Sequence, residues 1–370
     1  MMLILFFLFF ATVVAAHFLF AGQAWQQLRG VNETDIDLTY VRRDNWFGQS
    51  FRTQVAAWTS APATQTHAKF RIFGAGQQRL IESDQNSAST RAANSELYAF
   101  TQGFSCPAES VFSREISVHG DACIGRQSRL QAITAGGSLD IASDTTVARW
   151  VDSDGELTIG TNVTIGSRAT SRYAIRAGEG SRAQLLAAPQ ITTSAYIERG
   201  FDRTSVPARG ALQFPLVTSD EDDGAPQPPV EKGRLMLMDD NCILHEGDLF
   251  FSLPVEIRTR LIVRGSFSCP SGSLLHEDIK AEGDISIGPE SLVKGNLIAG
   301  GSLALYDGCQ FEGVLHAGQD LLLTTGVRGK ARRQPVAAYA AATLYAESNV
   351  AVEGKLAAGG HVEIVKFRRK

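Results

Sequence analysis

Little in this 370-residue chain marks an enzyme or a disulfide-stapled secreted domain. It has five cysteines, at positions 106, 123, 242, 269 and 309, with no C-x-x-C pair and no His at zinc-finger spacing. No metal or redox site is read from that set, and the cysteines are expected to be small buried hydrophobes in a reducing compartment. Charge is also sparse, with 20% charged residues and a net charge of -4, which argues against a generalised nucleic-acid binder. "FGAGQQR" at Phe73–Arg79 is Gly-rich but lacks the G-x-x-x-x-G-K-[ST] needed to cradle a phosphate. No cofactor and no small-molecule substrate is expected.

Long hydrophobic runs are missing too, with one exception. Met2 to Ala21 carries no Asp, Glu, Lys or Arg, which is enough apolar helix to cross about 30 Å of hydrocarbon. No basic residue precedes this run, whereas Trp25 follows where an interfacial anchor belongs and Arg29, Arg42 and Arg43 lie beyond it. The expectation is one N-terminal transmembrane helix over residues 1–22, flanked by Trp25 and Arg29, with the body in the cytoplasm. "GQA" at Gly22–Ala24 leaves a cleaved signal peptide open as an alternative.

Glycine, in contrast, is plentiful at 35 residues, and hydrophobic residues reach 44%. The chain therefore combines many tight corners with enough apolar surface for real cores. It also repeats itself. "FSCP" stands at Phe104–Pro107 and again at Phe267–Pro270. Each copy is followed by Gly-Asp (Gly120-Asp121, Gly283-Asp284), by Ile-Gly (Ile124-Gly125, Ile287-Gly288) and by AGGSL (Ala135–Leu139, Ala299–Leu303). The offset slips by one residue before the last landmark. The chain is a tandem duplication.

A shorter period runs inside each copy. "AEGDISI", "AGGSLAL" and "AGQDLLL" begin at Ala281, Ala299 and Ala317. Ile287, Val293, Leu305, Phe311 and Leu323 fall on one six-residue phase, and Leu303 and Leu321 on a second. In the first copy Ser153 and Ser171 interrupt the row. Two apolar positions in six fit no helix face; they fit short strands with alternate side chains inward, separated by corners. Three such sides make a rung of about 18 residues that stacks on the next through backbone hydrogen bonds about 4.8 Å apart. The fold class read from the sequence is all-β: a three-sided β-solenoid in two tandem copies. FSCP, which precedes the first clear rungs, reads as an entry or cap segment.

The expected organisation is an anchor at 1–22, a partly helical juxtamembrane segment at 23–69, a first half at 70–200 and a linker at 201–232. A second half at 233–366 and a basic tail at 367–370 complete it. The linker contains "TSDEDDGAPQPPVEK", too acidic and Pro-rich to order itself.

The segment "VKGNLIAGGSLALYDGCQFEGVLHAGQDLLL", Val293–Leu323, resembles the bactofilins, polymer-forming cytoskeletal proteins. The resemblance is good over roughly 265–330 and weaker over 104–190. It implies a right-handed β-helix that assembles end to end, without nucleotide, into a homopolymer on the cytoplasmic membrane face. It also implies a scaffold role that organises envelope-biogenesis or cell-shape proteins. The chain departs from the usual single solenoid in having two halves. Two enzyme classes share solenoid folds. "IGTNVTIGSRAT" at Ile159–Thr170 fits the hexapeptide pattern of left-handed acyltransferases, although the second apolar position is mostly Leu or Val where that fold wants a small residue. Such catalysis needs a His as general base, and neither His119, His245, His276, His316 nor His361 stands in a recognisable setting. Right-handed polysaccharide enzymes need an acidic or basic groove, whereas Asp284, Asp307 and Asp320 fall at corners, where Asp is favoured by turn chemistry alone. The reading is a non-enzymatic scaffold. Its expected self-assembly surface is the final rung, where "HVEIVKF" places Val362, Ile364 and Phe367 near an end with too little chain left to cap it.

Overall fold

The structure, a computed structural model, describes residues 44–67, 70–75, 78–84, 96–193, 235–239, 241–331 and 334–365. The described residues from 47 onward belong to one compact unit. No helix among the described residues is long and apolar enough to cross a membrane. The transmembrane helix expected over residues 1–22, with its flanking Trp25 and Arg29, lies outside the described residues. The architecture is accordingly corrected to a β-solenoid with no membrane-crossing helix among the described residues, and the single-pass membrane location finds no support there.

Both halves are solenoids with three parallel ladders. In the second half one side runs from Cys242–His245 through Arg260–Val263, Ile279–Ala281, Leu297–Ala299 and Val314–Ala317 to Val336–Ala340. The next runs from Leu249–Phe250 through Phe267–Cys269, Ile285–Ile287, Leu303–Leu305 and Leu321–Leu323 to Thr343–Ala346. The third begins at Glu256–Ile257 and reaches Arg328–Gly329. All three end on one long strand, Ala351–Ile364, that wraps the last rung. The first half mirrors this from Leu97–Phe100 to its own long strand, Arg182–Thr193.

Alternation along each short strand selects the core. Ile287, Val293, Leu303, Leu305, Phe311, Leu321 and Leu323 are all inward and at most 1% exposed. Ser153 and Ser171 occupy inward positions as well. Each stays there by donating its hydroxyl to a backbone carbonyl, Gly137 O at 2.8 Å and Gly155 O at 2.7 Å, so neither leaves a buried polar group unsatisfied.

The repeated landmarks are corner chemistry. Asp284 Oδ1 accepts the backbone N–H of Ser302, 18 residues on, at 2.7 Å, and Asp248 does the same for Ser266. A Cβ on Gly301 would lie 2.2 Å from that Asp284 oxygen, so the glycine of AGGSL is what lets the aspartate of the previous rung reach across. In the first half Asp121 bonds Ser138 at a spacing of 17. This one-residue-shorter rung is the slip in the repeat offset. FSCP is a strand and a turn rather than a cap: Phe104, Cys106, Phe267 and Cys269 point inward, and the Pro107 and Pro270 carbonyls accept the hydroxyls of Ser110 and Ser273. In the second half a further rung, starting at Cys242, precedes it. In the second half the regular repeat is interrupted between Asp320 and Thr343, which are linked at a spacing of 23 instead of 18.

The two solenoids meet tail to tail. Arg182–Thr193 pairs antiparallel with Ala351–Ile364, bringing Ala183 opposite Val362, Leu186 opposite Leu356 and Ile191 opposite Val352. At one edge Arg182 Nη2 lies 2.8 Å from Glu363 Oε1. Hence the apolar stack runs on from one half into the other as a single core.

Two stability predictions result. Leu303→Ala should cost about 2–5 kcal/mol and Leu303→Asp should unfold the second half, because its neighbours above and below are also fully buried; a wild-type melt for Leu303→Asp would contradict this register. Val362→Lys with Ile364→Lys puts two unpaired charges into the seam. The account expects a clear drop in melting temperature and new protease cleavage at the junction, and an unchanged melt would show the seam to be absent in solution.

Candidate functional site

Because the tail ends face each other, the edges that remain are the two outer ends. At the second half's outer end the strand Leu235–Asp239 pairs antiparallel with Cys242–His245 and covers one side. Among the described residues, Leu249–Phe250 and Glu256–Ile257 have a neighbouring strand on one side only. The loop between them carries Leu253, 56% exposed, with Val255 and Ile257 partly buried beside it. Glu256 sits on this edge and is held by Arg258 at 2.8 Å and His276 at 2.9 Å. These contacts hold its carboxyl below the usual range, Arg258 contributing most.

The first half's outer end is built alike but is better closed. The hairpin Phe70–Ala75 and Gln78–Ser83 lies on Leu97–Phe100. Phe104–Cys106 and the start of Val111–Val118 have one neighbour each among the described strands. Their inward side chains form an aromatic plug, Phe100 stacked on Phe104 at 4.2 Å and Phe104 edge-on to Phe112 at 5.7 Å. Such contacts stabilise beyond area alone. Phe104 and Phe112 are 3% and 2% exposed, in contrast to Leu253 at the other end.

A second feature lies on the flank. Helix α1, Trp46–Thr59, runs over the outer face of the first half. Phe47, Gly48, Phe51, Arg52, Val55 and Trp58 share a helix face by their spacing. Val55, Phe51 and Trp58 pack with Phe73, Leu80, Leu97 and Ala99, and Phe51 meets Trp150 edge-on at 5.9 Å. The Arg168 guanidinium stands 4.8 Å from the Phe47 ring. Between these apolar contacts Arg52 enters a polar junction: Nη2 to Asp152 and Nη1 to Asp154, both at 2.7 Å, and Nε to Thr134 Oγ1 at 2.6 Å. Asp152 is 2% exposed. Burial pushes its carboxyl up to about 6, against the opposing pull of the Thr170 hydroxyl and of Arg52.

Among the described residues nothing comparable gathers the other reactive side chains. His276 and His361 each contact a glutamate, and His245 is buried with Nδ1 near Gly247 O. Cys106, Cys242, Cys269 and Cys309 are buried and Cys123 is exposed, with no disulfide among them. Burial drives the Cys269 thiol up to about 12 and Cys309 up to about 11, which removes thiolate character at neutral pH. Among the described residues no group of His, Cys, Asp and Glu could hold a metal ion. A void of about 10 Å³ lies at the seam beside Ile159, Ile165, Leu186 and Val362, with room for no more than one water.

The residues expected to form the assembly surface are therefore placed differently. Val362 and Ile364 are 1% exposed within the seam, already covered by the first half of the same chain. Phe367 lies outside the described residues. The sequence pattern marks neither the open end around Leu253 nor the junction of Arg52 with Asp152. The helix could have been found from the Phe47, Phe51, Val55, Trp58 stripe, but its partner 100 residues away leaves no local signal.

No family model, curated protein or solved structure matches this chain at a meaningful level. The fold on which these surfaces sit is a β-solenoid, and the bactofilin resemblance rests on the sequence motif alone.

Proposed function

We propose that this chain is a non-enzymatic structural protein of bactofilin type that self-associates end to end through its outer rungs and serves as a scaffold. The observation that carries the reading is the seam. Here two related solenoid ends join by antiparallel backbone pairing, with apolar side chains stacked across the junction and one ion pair at its edge. An outer end carries the same ingredients: strands with one neighbour among the described residues, and apolar side chains only partly covered. Such edges favour addition of another chain. Assembly of this kind needs no nucleotide, since the contacts are backbone hydrogen bonds and buried apolar surface.

The tail ends already satisfy each other, so growth beyond one chain has to use the outer ends. Two of these per chain are sufficient for a linear homopolymer. The less covered one, around Leu253, is the stronger contact in this reading.

The reading is tested by sedimentation velocity of the chain without added nucleotide. Concentration-dependent assemblies are expected, and Leu253→Lys should shift them to smaller species without lowering the melting temperature, because Leu253 is exposed. Assemblies of unchanged size in the variant would remove this end as a contact. A wild type that stays monomeric at every concentration would sink the scaffold reading.

A further inference from the structure

We propose that helix α1 is a releasable strap: it closes over a preformed face of the first solenoid half and is held there by the Arg52 junction with Asp152 and Asp154.

Three observations carry this. First, the helix is held along one face only, with Phe47, Phe51, Arg52 and Trp58 half-buried. Of its fourteen residues only Gly48 and Val55 are buried, and it has no acidic residue in its first turn and no basic residue in its last. An isolated helix of this length is marginal in water, so its order depends on what it touches. Second, the solenoid face beneath it is polar at its centre. Thr134, Asp152 and Thr170 occupy the outward positions of successive rungs, and Asp152 and Thr170 bond each other at 2.5 Å. Released from the helix, these groups would return to water at little cost, and the loss would fall on the apolar contacts of Phe51, Val55 and Trp58.

Third, the duplication supplies an internal control. The AGGSL landmark aligns Thr134 with Ile298 and Asp152 with His316. On the second half both of these counterparts are exposed, and among the described residues no helix covers them. That half stacks its rungs just as regularly. The solenoid therefore stands without a strap, and the helix on the first half is an addition to it.

The junction is tight enough to act as a latch. A Cβ on Gly48 would lie 2.1 Å from Asp152 Oδ2, so the helix backbone closes directly onto the carboxylate. The charged groups around Asp152 are Arg52 from the helix, Asp154 beyond its own strand, and Arg172 on the next rung, which also pairs with Asp154 at 3.2 Å. When Asp152 takes up a proton, Asp154 still holds Arg52. With the strap closed, burial raises the Asp152 carboxyl to about 6; opening the strap returns water to it and lowers it again. A group raised in the closed state favours closing below its open-state value and loses that contribution as pH rises through the closed-state one. The strap is thus held more firmly in acid and loosens towards neutrality.

Hydrogen exchange of the full chain, followed over residues 46–59 and corrected for intrinsic rates, reads the strap directly. The helix should open separately from the rungs, and its opening constant should rise severalfold between pH 5 and pH 7. Asp152→Asn should abolish that rise while keeping the helix protected. Arg52→Ala, and independently Gly48→Leu, should expose the helix at every pH while the strands between 129 and 193 stay protected. Helix protection equal to that of the rungs would overturn the proposal. So would loss of rung protection together with the helix in both opening variants, or the same pH dependence in Asp152→Asn as in the wild type.

Discussion

Rung-on-rung register is the constraint on which the rest of this molecule depends. Each short strand finds its hydrogen-bond partners in the strand 18 residues away, and each inward side chain rests on its counterpart in that strand. A shift of one residue would turn the whole inward set outward. The corners are where the chain can adjust: a 17-residue rung in the first half and a 23-residue step in the second leave the ladders in phase on both sides. The Asp-to-backbone bonds and the glycines that admit them keep each corner aligned with the one below.

The same constraint creates ends, and this chain deals with its ends unequally. The two tail ends are joined to each other, which converts two exposed edges into one buried seam. The first half's outer end is filled with Phe100, Phe104 and Phe112 and overlaid by a hairpin. The second half's outer end has, among the described residues, a single added strand, with Leu253 left in solvent. Duplication with tail-to-tail packing thus halves the number of edges per solenoid and leaves one outer end more open than the other. In an assembly of such chains the two kinds of outer contact would differ in strength.

Much of this was legible in the sequence, for a physical reason. A solenoid core is local in period, so Ile287, Leu303, Phe311 and Leu321 announce their columns by spacing alone, and the landmark slip marks the shorter rung. What was not legible is long-range. Antiparallel pairing of residues 182–193 with 351–364 joins segments that resemble each other only as β-rich runs, and nothing near Val362 or Ile364 says that the first half of the chain covers them. The Arg52 junction is hidden for the same reason: Asp152 reads as one more polar outward residue until a helix is laid across it. The apolar N-terminal run had the opposite fault. Its hydropathy, with Trp25 and Arg29 beyond it, points to a membrane anchor that no described helix supplies.

The central claim is that solenoid stacking continues from one chain to the next. Negative-stain electron microscopy of the chain without nucleotide tests it most directly. The account predicts unbranched rods whose lengths are multiples of one chain, with the seam inside each repeat. Isolated single particles at high concentration, or sheets joined along the solenoid flanks instead of end to end, would contradict it.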